Sequence, residues 1–459
     1  MNITIISDTL CNHNASCTLT VARAFRNRGH EVNIVLPFYD RLYSDIEEKF
    51  GIAGSFYVKL PQGNFNINLY TCEKDNINFY FISNSRIFGR EKTWGYHDDA
   101  LRTAVYCTAA IETVIHSIDS TEYILTDSPN TALVPIFLKF KYHNKHIAKT
   151  IKTYHYINSC SYGIYDTAVV TSVFGLSPED KHILICNGSV NLTRAAIICS
   201  SLVFVGENAI GILYDRSNDI HHTAIQFGFK IRKYRSGIDY NIFSPENDPD
   251  IHKTYSSDSL YDKTSNKLFV QRYLYLQENE DIPLVVLYAD CNADTCRRYV
   301  HNLIQCDTQL IIISDKLNSK QLPSFSEKCI CIRDSSAETL KNIFSAGDFC
   351  LFSGFGSECG NAAYISSCYG CVPITPTHRY FDFGFTYFNK LTLDGNAYTY
   401  EPDLQKDIKY TLWDALGVYK HDKKAYKKLQ QNTMKKIFSA TDSIITIEKE
   451  AEKTCYSFI

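Results

Sequence analysis

No stretch of this chain approaches the roughly 18 consecutive apolar residues that a membrane-spanning helix needs, so no membrane association is expected. A surplus of one charge is also lacking. Lys and Arg number 47 against 50 Asp and Glu, and a net charge of -3 gives no electrostatic case for a nucleic-acid partner. The opening residues, Met1-Asn2-Ile3-Thr4-Ile5-Ile6, carry no basic region and no long apolar stretch. They do not read as a secretory signal, and a cytoplasmic location is expected. No internal repeat or low-complexity tract is present. Cysteine, by contrast, is plentiful: 17 residues, odd in number and scattered, which favours thiols over a disulfide framework. Cys368 and Cys371 form a C-x-x-C, and Cys329 and Cys331 lie two apart. No second C-x-x-C or Cys/His pair completes a zinc-type site, so no metal and no cofactor is expected.

What is there reads as two α/β domains. A chain of 459 residues exceeds one ordinary core, and 45% hydrophobic with 21% charged residues is ordinary for a folded protein. Apolar runs at Ile3–Ile6, Val32–Leu36, Phe79–Ile82, Tyr123–Leu125, Ile151–Tyr154, Leu202–Val205 and Ile231–Tyr234 read as buried strands. Helical spacing appears between them at Leu19–Arg28, Asp98–Ile118 and Thr131–Phe140, and Gly29 suits the first helix end. A second series begins at Leu284–Ala289 and runs through Leu310–Ser314, Cys329–Ile332, Phe349–Phe352 and Val372–Thr375. Strands alternating with helices give doubly wound, Rossmann-like sheets. The expected division is residues 1–243, a polar connection at 244–266, a second domain at 267–435, and a C-terminal helix at 436–459 crossing back to the first. Ligands of such sheets bind outside the strand ends, so the expected site is the cleft where the two domains face each other.

Several segments resemble the bacterial glycogen synthase and plant starch synthase family of glycosyltransferases. Arg28-Gly29-His30-Glu31-Val32 with Val35-Leu36-Pro37 resembles its R-G-H-D-V…L-L-P. Phe81-Ile82-Ser83-Asn84 with Gly89-Arg90-Glu91 resembles F-I-D-N…D-R-E. Gly237-Ile238-Asp239 with Ser244-Pro245-Glu246-Asn247-Asp248 resembles G-I-D…W-N-P-E-T-D. Lys263 and Asn266-Lys267 resemble K-x-x-N-K, and Ala346-Gly347-Asp348, Cys359-Gly360, Tyr369-Gly370 and Val372-Pro373-Ile374 resemble the C-terminal signature. The resemblance implies the two-domain GT-B fold and retaining glucosyl transfer from a nucleotide sugar.

It also implies where the donor site falls, and there the residues differ. The family's K-T-G-G-L loop aligns with Leu10 to Asn14, leaving Asn12 and His13 as polar candidates. Its H-D-W-H aligns with Asp127-Ser128-Pro129-Asn130, so Asn130 replaces a His, and V-H-N survives in part as Tyr154-His155-Tyr156. The Arg and Lys of S-R-L-x-x-x-K-G become Asp290 and Thr295. The F-E-P-C-G-L segment becomes Ser357-Glu358-Cys359-Gly360-Asn361, and Arg379 lies where the family has T-G-G-L. No catalytic residue is assigned firmly; the candidates are His155, Asn130 and Glu358. The expected nucleotide-sugar cleft comprises Asn12, His13, Asp290, Thr295, Glu358, Cys359, Gly360, Asn361 and Arg379. A carboxylate about 4 Å from a diphosphate repels it by on the order of 1–4 kcal/mol.

Two readings follow. In one, the chain is a degenerate synthase with weak or no transfer, binding a nucleotide sugar or a glucan, or pairing with itself or an active homologue. In the other, it is an active retaining hexosyltransferase whose donor-site residues have changed. Tyr and Phe, at 32 and 27, are abundant enough to suggest sugar stacking, but core packing accounts for them first.

Overall fold

The structure is a computed structural model. It describes residues 1–9, 17–39, 50–118, 120–158, 163–235, 237–289, 291, 293–314, 328–334, 336–353, 359–377, 382–401 and 405–456. The chain divides into two units, the first ending at Tyr234 and the second starting at Arg235.

In the first unit, β1 (Asn2–Ile6), β2 (Glu31–Pro37), β3 (Gly51–Leu60), β4 (Gly63–Lys74), β5 (Ile77–Ser83), β6 (Tyr123–Thr126) and β7 (Lys152–Ile157) lie in one sheet. β8 (Ile164–Tyr165), β9 (Ile185–Cys186) and β10 (Ser189–Asn191) form a small sheet apart; β11 (Leu202–Gly206) and β12 (Ile231–Tyr234) complete the large one. Its order is β12-β11-β7-β6-β1-β2-β5-β4-β3. From β12 to β5 every pairing is parallel; β4 and β3 are antiparallel additions. The parallel strands are apolar because both faces are covered: Ile3, Ile5 and Ile6 are all buried. Helix Cys17–Asn27 buries Val21, Ala22 and Phe25, and it stops at Gly29, whose φ of +85° a side chain would resist.

In the second unit, β13 (Leu284–Tyr288), β14 (Gln309–Ile313), β15 (Cys329–Ile332), β16 (Phe349–Phe352), β17 (Val372–Pro376) and β18 (Tyr398–Tyr400) form one parallel sheet in the order β15-β14-β13-β16-β17-β18. Both sheets thus reverse direction beside their first strand, between β1 and β6 and between β13 and β16. Those reversals are where doubly wound sheets open a crevice for ligands.

Residues 244–266 are polar in sequence, yet they lie inside the second unit and are tied into it. Asp248 is 3% exposed; it accepts from Lys341 at 3.3 Å and from the Tyr369 hydroxyl. Ile251, Tyr255 and Leu260 join the core alongside Phe243. The Lys263/Asn266/Lys267 motif, on helix Tyr261–Tyr273, points inward. Lys263 Nζ donates to the Phe344 and Ser345 carbonyls at 2.9 and 2.8 Å, and burial pushes it down to about 8. Asn266 grips the Lys253 backbone in both directions, and Lys267 pairs with Asp348 at 2.7 Å. Gly347, beside Asp348, has no room for a side chain, since a Cβ would stand 2.8 Å from Cys371 Sγ.

Candidate functional site

The first-unit reversal is built from two strand ends with the same sequence logic. β1 runs out through Ile5-Ile6-Ser7-Asp8, and β6 through Ile124-Leu125-Thr126-Asp127. Ile6 pairs with Thr126, so Ser7 comes opposite Asp127 and Asp8 follows one residue further on, close enough for the two carboxyls to repel each other. Ser7 Oγ at 2.7 Å and Thr18 Oγ1 at 2.5 Å donate to Asp127 Oδ2. Asp127 Oδ1 is buried without a partner among the described residues. Asp8 Oδ2 accepts from Asn130 Nδ2 at 2.7 Å. Asn130 is held in the turn Pro129–Thr131, where Thr131 Oγ1 accepts the Asp127 and Ser128 amides at 3.1 Å each.

Electrostatics follow from this enclosure. Burial pushes the Asp8 carboxyl up, against the pull of Asn130. Burial, with Asp8 adding like-charge repulsion, raises Asp127 to about 7. Among the described residues neither acid forms an ion pair, and the pair holds its protons far above the ordinary carboxylate range. A cavity of about 10 Å³, lined by Thr18, Asp127, Tyr156, Asn158 and the aliphatic Ile5, Val21 and Leu125, has room for one water-sized group.

His155 does not join them. It sits on β7, 1% exposed, with Nδ1 2.7 Å from Thr126 Oγ1. Burial depresses it to about 3, so the imidazole is neutral across the physiological range.

At the second-unit reversal, Thr295 lies in helix Ala293–Ile304, where its Oγ1 accepts from Arg298 at 3.0 Å. Arg297 pairs with Asp294 at 2.7 Å on the same exposed surface. Cys359 and Gly360 open helix Cys359–Cys368, and Asn361 is half-buried in its first turn. Asn12, His13, Asp290, Glu358 and Arg379 lie outside the described residues. Cys368 and Cys371 are buried, with the Cys368 thiol donating to the Phe243 carbonyl at 3.1 Å. Among the described residues no group of three or more His, Cys, Asp or Glu is arranged to hold a metal, and no helix is long and apolar enough to cross a membrane.

Sequence reasoning passed over Asp8 and Asp127 as a pair. The signal was the repeated apolar-apolar-hydroxyl-Asp ending, which gains meaning only once sheet order makes β1 and β6 neighbours.

Comparison with known proteins agrees with this architecture. A family described as "Starch synthase catalytic domain" matches residues 15–207. A glycogen synthase of Bacillus cereus is 24% identical over 447 residues, covering 93% of each chain. One from Clostridioides difficile is 26% identical over 444 residues, covering 90% of each. Among solved structures, the catalytic domain of starch synthase IV from Arabidopsis thaliana, bound to ADP and acarbose, superposes with a TM-score of 0.84 at 18% identity over 98% of both chains. Sucrose-phosphate synthase from Thermosynechococcus elongatus gives 0.57 at 10% identity over the full length of both. The fold is that of GT-B glycosyltransferases.

Proposed function

We propose that this chain, a member of the glycogen and starch synthase-like glycosyltransferases, has weak or no glucosyl transfer and serves as a binding protein, holding glucan or partnering an active homologue. The observation that carries this is the absence of cations at four strand ends. Residues 8–22 after β1, 127–138 after β6, 289–296 after β13 and 353–368 after β16 contain no Lys or Arg. Departure of a nucleoside diphosphate builds negative charge, and a site without metal must meet that charge with fixed cations and amide donors. Here the first unit offers two buried acids and a neutral His155 instead. Asn130 commits one of its two amide hydrogens to Asp8 and, being neutral, brings no positive charge. Losing one such stabilising group commonly slows an enzyme about 100-fold or more, and several are missing together.

The test is transfer from nucleotide-linked glucose to a maltooligosaccharide primer, with the Bacillus cereus glycogen synthase assayed alongside. Turnover at least about 1,000-fold lower is expected, with mobility retarded by glycogen in affinity electrophoresis. Turnover within about tenfold of that enzyme would instead establish the active retaining transferase with altered donor residues.

A further inference from the structure

Core packing does not account for the rings on the outer side of helix Tyr261–Tyr273. That helix turns Lys263, Asn266, Lys267, Val270 and Gln271 inward. Outward it carries Tyr261, Phe269 and Tyr273, which are 84, 38 and 73% exposed. They fall within about a third of its circumference and spread over about 18 Å of its axis. Phe269 stacks on the exposed His252, with ring centres 4.3 Å apart and planes 3° apart. Tyr273 follows Phe269 at 6.3 Å and 14°. The three rings therefore run nearly parallel, and the stack sets the plane of Phe269 in advance of any ligand.

A fourth ring stands just past the helix. The chain leaves it through a Schellman turn: the Leu276 amide donates to the Gln271 carbonyl at 2.8 Å and the Tyr275 amide to the Arg272 carbonyl at 3.1 Å. The left-handed position of such a turn suits glycine, but here it holds Tyr275, at a φ of +57°. Its side chain is 93% exposed. The backbone bears strain for a ring that buries nothing in the fold.

Between residues 250 and 280 the exposed large apolar side chains are these four aromatics, with no aliphatic among them. Separate rings with Ser265 and Arg272 between them do not make the continuous apolar patch that a protein partner would seal. Arg272 is committed to Glu278 by two bonds at 2.9 and 2.7 Å, so its charge is answered within the surface. What is left to a ligand is ring faces and phenolic hydroxyls. That combination suits a neutral chain of sugar rings, whose C–H faces lie on aromatics and whose hydroxyls take hydrogen bonds. The helix also lies away from the crevice. Its Lys267 and Gln271 reach Asp348 and Gln309, at the starts of β16 and β14, whereas ligands of the sheet gather at the strand ends.

We propose that Tyr261, Phe269, Tyr273 and Tyr275 form a glucan-binding surface of their own, on which one α-glucan chain several glucose units long is held by stacking. The α-glucan identity rests on the family reading above; the aromatic surface does not.

The test is affinity electrophoresis of the full chain in native gels of graded glycogen, with hydroxyethylcellulose as the β-linked counterpart. Glycogen is expected to retard the native chain more than the β-glucan does. Tyr273→Ala with Tyr275→Gly should weaken glycogen binding about tenfold. Tyr275→Gly alone should weaken it about twofold or more and yet raise the urea midpoint, because glycine accepts the left-handed turn. A ring with a merely structural role would lower the midpoint instead, and that result would overturn its assignment to ligand. Equal retardation of the native chain and the double variant would overturn this surface and leave the glucan reading standing, since glycogen then binds elsewhere. No retardation of the native chain by glycogen would overturn both. Stronger retardation by the β-glucan would overturn the α-glucan identity, and a native dimer in sedimentation that the double variant lost would assign the rings to a protein interface instead.

Discussion

Asp348→Ala is expected to destabilise the second unit by about 3–5 kcal/mol, the cost of leaving one half of a buried ion pair alone. Asp348 accepts from Lys267 Nζ at 2.7 Å, from the Leu284 amide at 2.9 Å and from the Tyr426 hydroxyl at 3.2 Å. Both charged side chains are less than 10% exposed. Truncation strands an ammonium group and deprives the first residue of β13 of its side-chain acceptor. The chain's two tryptophans fall one in each unit, Trp94 in the first and Trp413 in the second. Urea unfolding of single-tryptophan variants should therefore show the Trp413 transition moving to lower urea while the Trp94 transition stays. Replacing both partners by apolar residues, Asp348→Leu with Lys267→Met, is expected to recover most of the loss. A single Asp348→Ala change that left the Trp413 midpoint in place would refute the assignment.

The second large effect has the opposite sign. Asp127→Asn should stabilise the first unit above pH 7 by on the order of 2–4 kcal/mol. The folded carboxyl titrates at about 7 against an ordinary 3.8. Below 3.8 both folded and unfolded states are protonated and the group contributes nothing. Between 3.8 and 7 the folded state keeps a proton that the unfolded state has released, so raising the pH favours unfolding. Above 7 the full penalty applies. The native first unit should thus lose stability from pH 5 to pH 8, and Asp127→Asn should flatten that loss. An Asn oxygen can still accept from Ser7 and Thr18, so the hydroxyl contacts survive. Urea midpoints followed through Trp94 at both pH values decide it; a variant less stable than the native chain at pH 8 would rule it out.

Much of the fold was legible because parallel strands buried on both faces announce themselves as apolar runs. Ile231–Tyr234, Cys329–Ile332 and Phe349–Phe352 end where their patterns end. The hairpin of β3 and β4 was passed over. Its one covered face leaves only an alternation, Phe65, Ile67 and Leu69 inward with the Asn residues between them outward. The strands of the small sheet, two or three residues each, are too short to carry a period. Residues 244–266 looked like a tether because composition registers polarity but not pairing, and Asp248 and Asn266 are polar groups satisfied inside the unit.

The same reasoning separates the family-like motifs from the missing ones. Lys263, Asn266, Lys267, Gly347, Asp348 and Tyr369 each serve the interior of the second unit. They persist as parts of a scaffold. Leu10, Asn130 and Thr295 stand where the resemblance puts charged, ligand-facing family residues, and on the reading proposed above such positions are the ones with least tie to the interior. His155 is the exception that explains itself: it is fixed by Thr126 in the sheet.

β3 is the outermost strand of the first-unit sheet, ten residues long, with Ile52 and Tyr57 both more than 70% exposed. An unprotected rim of that length invites another chain to add itself and start a fibre. The register slips between Ile52 and Gly54, so Ala53 is an extra residue opposite β4. That irregularity splits the rim and bends it, denying an incoming strand a continuous ladder. One surplus alanine thus interrupts the edge at which a second chain would otherwise add itself.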